Sequence, residues 1–346
     1  MHMPASAAHA GSPPRILVII VSYRSAALVI ECLRSVHAER SRTHLEIAAC
    51  VVDNASGDFP EVARAVEENG WSSWVTVLLA PRNGGFAYGN NLAIRHAFGT
   101  RAPDYVHLLN PDTQVRPGAI AALSGFLEDR PEAGIAGSSF ENEDGSDWPI
   151  AFRFPNPVSE FSGALGFGPL SRLLQRWAVA RCMGGVVEQA DWVSGASLMI
   201  RSEVLRAIGG LDENFFLYFE ETDFCYRARQ AGFTTWYVPA SRVMHIAGQT
   251  TKVMERNAAA KRLPECWFES RRRYFALRYG RGRASAIDVV VLLTYPLGWL
   301  KRLLQGKTHS SVPHYLRDLW HYSILQPRNR NVGPLRAPQN LTGEPC

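Results

Sequence analysis

One short stretch, GGLDENFFLYFEETDFCYRARQAG at 209–232, holds five carboxylates, and four of them are candidates for chemistry: Asp212, Glu220, Glu221 and Asp223. They stand around an aromatic cluster of Phe215, Phe216, Tyr218 and Phe219. Behind them Phe224, Ala228 and Ala231 share one helical face, and Gly232 is placed as a stop. The acids therefore gather just before and within the first turn of a helix. Free N–H groups and the positive dipole end favour their ionised form there, whereas aromatic walls push a carboxyl pKa upward. A carboxylate held between those tendencies suits proton transfer. Solvated acids at an ordinary helix start are the plain alternative, and the rest of the chain has to decide.

A second candidate is Asn110-Pro111-Asp112, an acid two residues after an amide. At a strand's C-terminal edge such a carboxylate can hold a hard divalent cation, Mg or Mn, together with phosphate oxygens. A Pro-Asp turn is the local alternative. His245 closes the short run VMH and can supply a nitrogen ligand to the distant Asp112, although a lone histidine is more often structural. Asn83-Gly84-Gly85 before a helix brings backbone N–H groups near an anion. It has neither the G-x-G-x-x-G order of a dinucleotide fold nor the GK[ST] of a P-loop, so both of those nucleotide readings are disfavoured.

The elements that must position these residues alternate. Apolar, β-branched ILVIIV at 16–21 reads as a buried parallel strand, followed by an amphipathic helix at 26–38 with Leu28, Cys32, Leu33 and Val36 inward. Strands are predicted at 46–52, 75–79 and 105–109, with helices at 60–69, 87–98 and 117–127 between and after them. That spacing predicts a doubly wound α/β domain with a mostly parallel sheet. Three strands end in polar clusters: Ser22-Tyr23-Arg24, Asp53-Asn54 and Asn110 to Asp112. Ligands bind at that edge of open α/β sheets, and three clusters together favour a site over three separate turns. Residues 141–182, with Pro149, Pro155 and Pro157, read as an irregular, mobile excursion. WVSGASLMIR at 192–201 reads as a strand, and 235–238 and 242–245 as two short ones.

At 346 residues, with 46% hydrophobic and 20% charged residues, core size is no obstacle. The net charge of +5 is unevenly spread: 17 Lys and Arg face 6 acids from 251 onward, against 20 and 26 before it. The basic C-terminal part is helical in pattern at 269–279, 287–304 and 312–325, and points to an anionic partner surface. Basic amphipathic segments carrying Tyr315, Leu316, Leu319 and Trp320 suit a membrane surface; a helical cap packed on the catalytic domain is the alternative. Six scattered cysteines without a CxxC pair read as reduced thiols of a cytosolic protein. The opening residues lack the features of a signal peptide, and the apolar run 289–300, with Pro296 and Gly298, is too short to span a bilayer. The expected organisation is a disordered lead-in at 1–14, a catalytic domain at 15–250, a basic helical extension at 251–325 and a disordered tail at 326–346. Aromatic-basic modules for nucleic acid are missing, so no nucleic-acid partner is expected.

Taken in order, VSYR, VVDNASGD, NGGFAYGNN, LLNPDT, WVSGASLMIR, the 209–232 stretch and VMHIAG resemble the family-two inverting glycosyltransferases of GT-A fold, most closely their bacterial rhamnosyltransferase-like branch. The resemblance covers about residues 15–250, and ESRRRYF at 269–275 is also familiar in that branch. It implies that Tyr23 and Asp53 hold the base and ribose of a nucleotide-sugar, and that Gly84, Gly85 and Asn91 line the pocket for its ribose, diphosphate or sugar. Asn110 and Asp112 stand at the DxD motif, with Asp112 and His245 as metal ligands, and Trp192 and Gly195 border the acceptor site. Where the family has Glu-Asp, this chain has Glu220-Glu221; Glu221 is the first choice as catalytic base, with Glu220 adjacent. Asn110 replaces the first acid of DxD, which removes a charge beside the metal. The implied reaction moves L-rhamnose from dTDP-rhamnose to a glycan or polyprenyl-linked acceptor, at the inner face of the cell membrane. An inactive nucleotide-sugar-binding scaffold of the same fold is the alternative.

Overall fold

The computed structural model describes residues 12–148, 150–246, 261–306 and 311–333. The expected lead-in up to residue 11, the segment 247–260 and the tail from 334 lie outside the described residues. The first half alternates as expected: β1 (Arg15–Ser22), α1 (Ala26–Arg40), β2 (Glu46–Asp53), α2 (Phe59–Glu68), β3 (Val75–Leu79), α3 (Gly85–Thr100) and β4 (Tyr105–Leu109). There follow β5 (Thr113–Val115), α4 (Ala119–Asp129), β6 (Ala133–Glu141), β7 (Asp147–Trp148), β8 (Ile150–Phe152), α5 (Pro157–Leu165) and α6 (Gly168–Leu173). Then come β9 (Ala180–Cys182), β10 (Glu188–Ala190), β11 (Ser197–Arg201), α7 (Ser202–Ile208), α8 (Glu220–Gln230) and β12 (Thr234–His245). The chain closes with α9 (Glu265–Leu304) and α10 (Tyr315–Tyr322).

The main sheet runs β10-β12-β6-β11-β4-β1-β2-β3, with β5 paired to β12 and β7 to β6. The β1, β2, β3 and β4 pairings are parallel, as is β6 with β12, while β11 runs antiparallel between β4 and β6. The strand ends Ser22, Asp53, Leu109 and His245 therefore meet at one edge. Because β11 is reversed, its beginning, next to Gly195 and Ala196, lies at that same edge. Alternate residues of β1 serve two cores: Ile16, Val18 and Ile20 face α1, α2 and α4, whereas Leu17, Ile19 and Val21 face α3, α7 and α8. Both faces of the strand are dry, which is why its sequence is apolar without alternation.

Four expectations need correction. Residues 141–182 are not an irregular excursion: they carry β7, β8, α5, α6 and β9, and α5 has a capping box on Asn156. The two short strands near 240 are one strand, β12, with a register shift between Val238 and Arg242. The tail is not disordered from 326, since Pro327–Asn329 forms a 3₁₀ turn and the Val332 carbonyl accepts from Arg273. The strand within 192–201 is also confined to its second half, Ser197–Arg201.

The basic extension is packed on the domain. Gly280, at φ 77°, breaks α9 into two antiparallel halves. Tyr274 and Phe275 meet Ala284 and Ile287, and Phe268 meets Val291. Buried Arg271 joins the halves to α5, pairing with Glu160 and with Asp288 at 2.6 Å each. Asp288 in turn accepts from Ser323 Oγ at 2.6 Å, which secures the end of α10.

Candidate active site

The five acids of 209–232 do not share one fate: Glu213 pairs with Arg95 of α3 at 2.9 Å. Asp212 is buried against Arg273 of α9 at 2.5 Å, and Asp223 is bound by Arg227 one helical turn later at 2.7 Å. Arg227 also donates to the carbonyls of Ile208 and Gly210, so these two pairs hold the loop. Glu220 and Glu221 each keep a buried carboxylate oxygen, Oε2, without a hydrogen bond. Burial drives both pKa values upward, and the adjacent Glu221 charge adds to the effect on Glu220. The two differ in reach. Glu220 is buried and its charge is felt by Cys266 at the start of α9, whereas Glu221 is half-buried beside Gly195. Backbone N–H groups of Glu221, Gly195 and Thr222 act in the opposite direction to burial on Glu221 and favour its carboxylate.

A strained turn delivers these glutamates. Tyr218 and Phe219 are both left-handed, at φ 69° and 67°, which costs roughly 1–2 kcal/mol per residue for such side chains. The surrounding structure holds them there: Ser270 Oγ donates to the Leu217 carbonyl at 2.9 Å, and the Phe219 ring packs against Trp267 and Tyr274. The turn also touches the NGG segment, where the Phe86 N–H donates to the Phe216 carbonyl at 2.9 Å. Gly85 sits there at φ 84°, and a Cβ on it would lie 1.9 Å from that carbonyl oxygen. Only glycine fits.

On the other side of the edge, β5 pairs with the end of β12 so that His245 lies opposite Thr113. This brings His245 Nε2 to 3.5 Å from Asp112 Oδ1. The imidazole stacks on Trp148 and meets Phe140, which fixes its orientation. One hard oxygen and one imidazole nitrogen at that separation are near the roughly 3 Å ligand-to-ligand edge implied by metal–ligand bonds of about 2.1 Å. No third His, Cys, Asp or Glu joins them among the described residues. The pair fits part of the ligand set of a hard divalent cation, whose remaining oxygen ligands would have to come from outside these side chains. Asn110 places its backbone here, with its N–H donating to the Ala196 carbonyl at 3.0 Å and its own carbonyl accepting from Thr113.

The remaining expected positions separate into open groups and braces. Tyr23 is 41% exposed at the end of β1 with Arg24 beside its ring, so its aromatic face is available to a base. Asp53 is buried, and its carboxylate accepts from Ser56 N, Ser56 Oγ and Phe59 N at 2.6–3.1 Å. It shapes the turn after β2 as well as standing at the edge. Gly84 donates its N–H to Asn54 Oδ1 at 3.2 Å. Asn91 is buried, and its amide donates to Leu211 O and Glu213 Oε1 and accepts from Leu211 N, clamping the loop before the glutamates. Trp192 stacks on Phe152 at 4.0 Å and donates Nε1–H to the Arg153 carbonyl. Gly195 faces Phe86 and Glu221.

Sequence reasoning placed Asn54 in a polar strand end but missed its role: its amide donates to Asn83 Oδ1 and the Gly85 carbonyl and so joins two of the edge loops. It also missed Asp58, which accepts from Ser22 Oγ and Ser25 N. Polar side chains at a strand end with several donors nearby are the signal for both.

A mixed sheet whose parallel strands end at an edge that gathers an acid-histidine pair, an exposed aromatic, and one buried and one half-buried glutamate is the GT-A arrangement. The chain has this fold in common with a mannosyltransferase, PcManGT from Pyrobaculum calidifontis, in complex with GDP-Man and Mn2+ (TM-score 0.52, 16% identity, 93% of this chain and 83% of that one). It is likewise shared with GalNAc-T7 bound to UDP, GalNAc and Mn2+ (TM-score 0.54, 14% identity, 90% and 57%). Residues 13–262 match the glycosyltransferase-like family 2 model, and the chain belongs to that family. Among curated relatives, the N-acetylglucosaminyl-diphospho-decaprenol L-rhamnosyltransferase of Mycobacterium tuberculosis is 32% identical over 150 residues, 43% of this chain and 48% of the relative. Rhamnosyltransferase WbbL of Escherichia coli is 26% identical over 166 residues, 47% and 61%. The matches thus span about half the length of these relatives.

Proposed function

We propose that this protein is an inverting glycosyltransferase that moves L-rhamnose from dTDP-rhamnose to a hydroxyl of a polyprenyl-linked or glycan acceptor, in the synthesis of a cell-surface polysaccharide. The observation that carries the reaction is Glu221, half-buried beside Gly195 with an unpartnered carboxylate oxygen. The rhamnosyl donor and the lipid-linked acceptor are supported by the names of the relatives and by the branch resemblance. A membrane-borne acceptor would place the enzyme at the inner face of the cell membrane.

Glu221 takes the proton from the acceptor hydroxyl as its oxygen attacks the anomeric carbon on the face opposite the nucleotide. The bond from that carbon to the diphosphate oxygen breaks with inversion. Asp112 and His245 would hold a divalent cation, Mg or Mn, which when bound offsets the negative charge of the departing diphosphate. Tyr23 offers its ring to the base, while the turns of Asp53 and of Gly84 and Gly85 border the donor. Trp192 and Gly195 border the acceptor.

A panel of nucleotide-sugars scored by nucleotide release tests the reading. Release from dTDP-rhamnose above all other donors, raised by a lipid-linked acceptor, is the expected outcome. Binding of dTDP with manganese but no release from any donor would sink the enzyme in favour of a sugar-nucleotide-binding scaffold.

A further inference from the structure

The second half of α9 leaves one face uncovered. Leu293, Leu297, Leu300 and Leu304 recur at spacings of four, three and four residues and are 68%, 59%, 49% and 80% exposed. Val289, Val290, Trp299 and Leu303 widen the same exposed face. Isolated exposed leucines are ordinary in soluble proteins, but this density on one helix is not. The opposite face is fully engaged: a Cβ on Gly298 would lie 2.4 Å from the Ala164 carbonyl oxygen, so α9 and α5 touch backbone to backbone. The apolar surface continues past the end of α5. Lys301 donates to the Gly166 carbonyl at 2.6 Å and lies over the half-exposed Phe167 ring, and Leu173 follows on α6.

Charge names the partner. Within 281–304 the only acid is Asp288, which is buried against Arg271, so Arg281, Arg283, Lys301 and Arg302 are unopposed by acids of their own segment. Arg172 and Arg176 are exposed on the neighbouring α6 and the turn after it. An apolar helix face with Trp299 among leucines and a basic rim is the pattern of a helix lying in a lipid interface. No described helix is long and apolar enough to cross a membrane.

We propose that the outer face of α9 from Val289 to Leu304, extended by Phe167 and Leu173, seats this protein on a bilayer carrying anionic lipids. The placement follows from the hairpin in α9. Val291 packs in one cluster with Phe268, and Trp267 at the start of the first half meets the ring of Phe219, the residue before Glu220. Leu300 is roughly 14 Å further along the helix, at 1.5 Å per residue. The lipid-facing end and the residues leading into Glu220 therefore lie toward the same end of the α9 hairpin, where the head of a polyprenyl-linked acceptor would be presented. The purpose of the surface rests on the proposed acceptor; its affinity for lipid does not.

The test is flotation of the full chain with vesicles of phosphatidylcholine alone and with one-third phosphatidylglycerol. The wild type is expected to float with the anionic vesicles, and Leu297→Asp/Leu300→Asp to lose at least about tenfold in partitioning while keeping its circular dichroism spectrum. Unchanged flotation of the double variant, or no flotation of the wild type, overturns the proposal. So does a wild-type dimer in light scattering that the double variant converts to monomer without any lipid binding, which would assign the face to a second copy. Nucleotide release from donor without vesicles is measured in parallel, so loss of lipid binding and loss of the transferase reading are separate results.

Discussion

At the residue scale, the five acids of the central stretch look alike in sequence and are divided by three arginines. Arg273, Arg95 and Arg227 neutralise Asp212, Glu213 and Asp223; the last pair, four residues apart on one helix, is legible from spacing, whereas Arg273 and Arg95 come from helices 61 and 118 residues away. What remains is an adjacent pair, one buried carboxyl and one half-buried, both with raised pKa values. If Glu221 is the base, Glu221→Gln should lower kcat by about 10²–10⁴ with donor binding kept, as measured by calorimetric titration of the nucleotide. Glu220, the more deeply buried, keeps its proton to higher pH, so Glu220→Gln resembles the protonated acid and should leave transfer largely intact. Loss of transfer in that variant instead would move the base to Glu220. A sign follows for stability. A carboxyl with a raised folded-state pKa binds more protons folded than unfolded, so it destabilises the fold increasingly as pH rises above the unfolded value near 4.3. Glu220→Gln should therefore raise the melting temperature at pH 8 and leave it unchanged at pH 3.5, read by thermal scans at both.

At the scale of elements, periodicity located the strands and helices of the first half to within one or two residues, since β1 and β4 are buried on both faces and say so in their composition. It failed at β6. AGIAGSSFE is entirely buried, yet its small residues carry no strand signal; they are small because Val193 and Phe233 press on it, with a Cβ on Gly137 or Gly134 coming within 2.5 and 2.7 Å of them. The reading of 141–182 failed for a related reason, because the order of α5 comes from α9, far along the chain. The edge itself was legible, because three strands end in polar residues and the topology makes those ends neighbours. The contact between the NGG turn and the Phe216 carbonyl was not, although the glycine pair marked it. Gly85→Ala should lose roughly 1–2 kcal/mol from backbone conformation alone, with the 1.9 Å collision added. The check is a lower urea midpoint accompanied by loss of transfer, because the displaced loop leads directly into Glu220 and Glu221. At the other end of the edge, His245→Ala should weaken Mn2+ binding by about 10-fold or more, measured by electron paramagnetic resonance, without a change in melting temperature.

At the scale of the whole molecule, the basic C-terminal part serves the catalytic edge and is not an appendage. The family match ends at residue 262, yet Phe215, in the loop before the glutamates, is buried in a core shared with Tyr274, Phe275, Ala284, Ile287 and Ile324. Phe219 leans on Trp267, Leu217 is held by Ser270, and Asp212 is neutralised by Arg273. Removing α9 would expose that core, leave a buried carboxylate without its cation and release the two left-handed residues from the packing that holds them. Loss of one partner of a buried ion pair alone costs about 3–5 kcal/mol, a large share of the ~5–15 kcal/mol that stabilises a typical domain. A chain cut after residue 262 should therefore fail to give a cooperative thermal transition, even though it contains the whole matched domain. A milder variant isolates the cause. Arg273→Met keeps the hydrophobic packing and removes only the charge, so it should fold with a lowered melting point and recover part of the loss in combination with Asp212→Asn, as a double-mutant cycle would measure. An independent, cooperatively folding 1–262 fragment with normal nucleotide release would show that the helical layer is an attachment, and that the catalytic loop holds its shape without it.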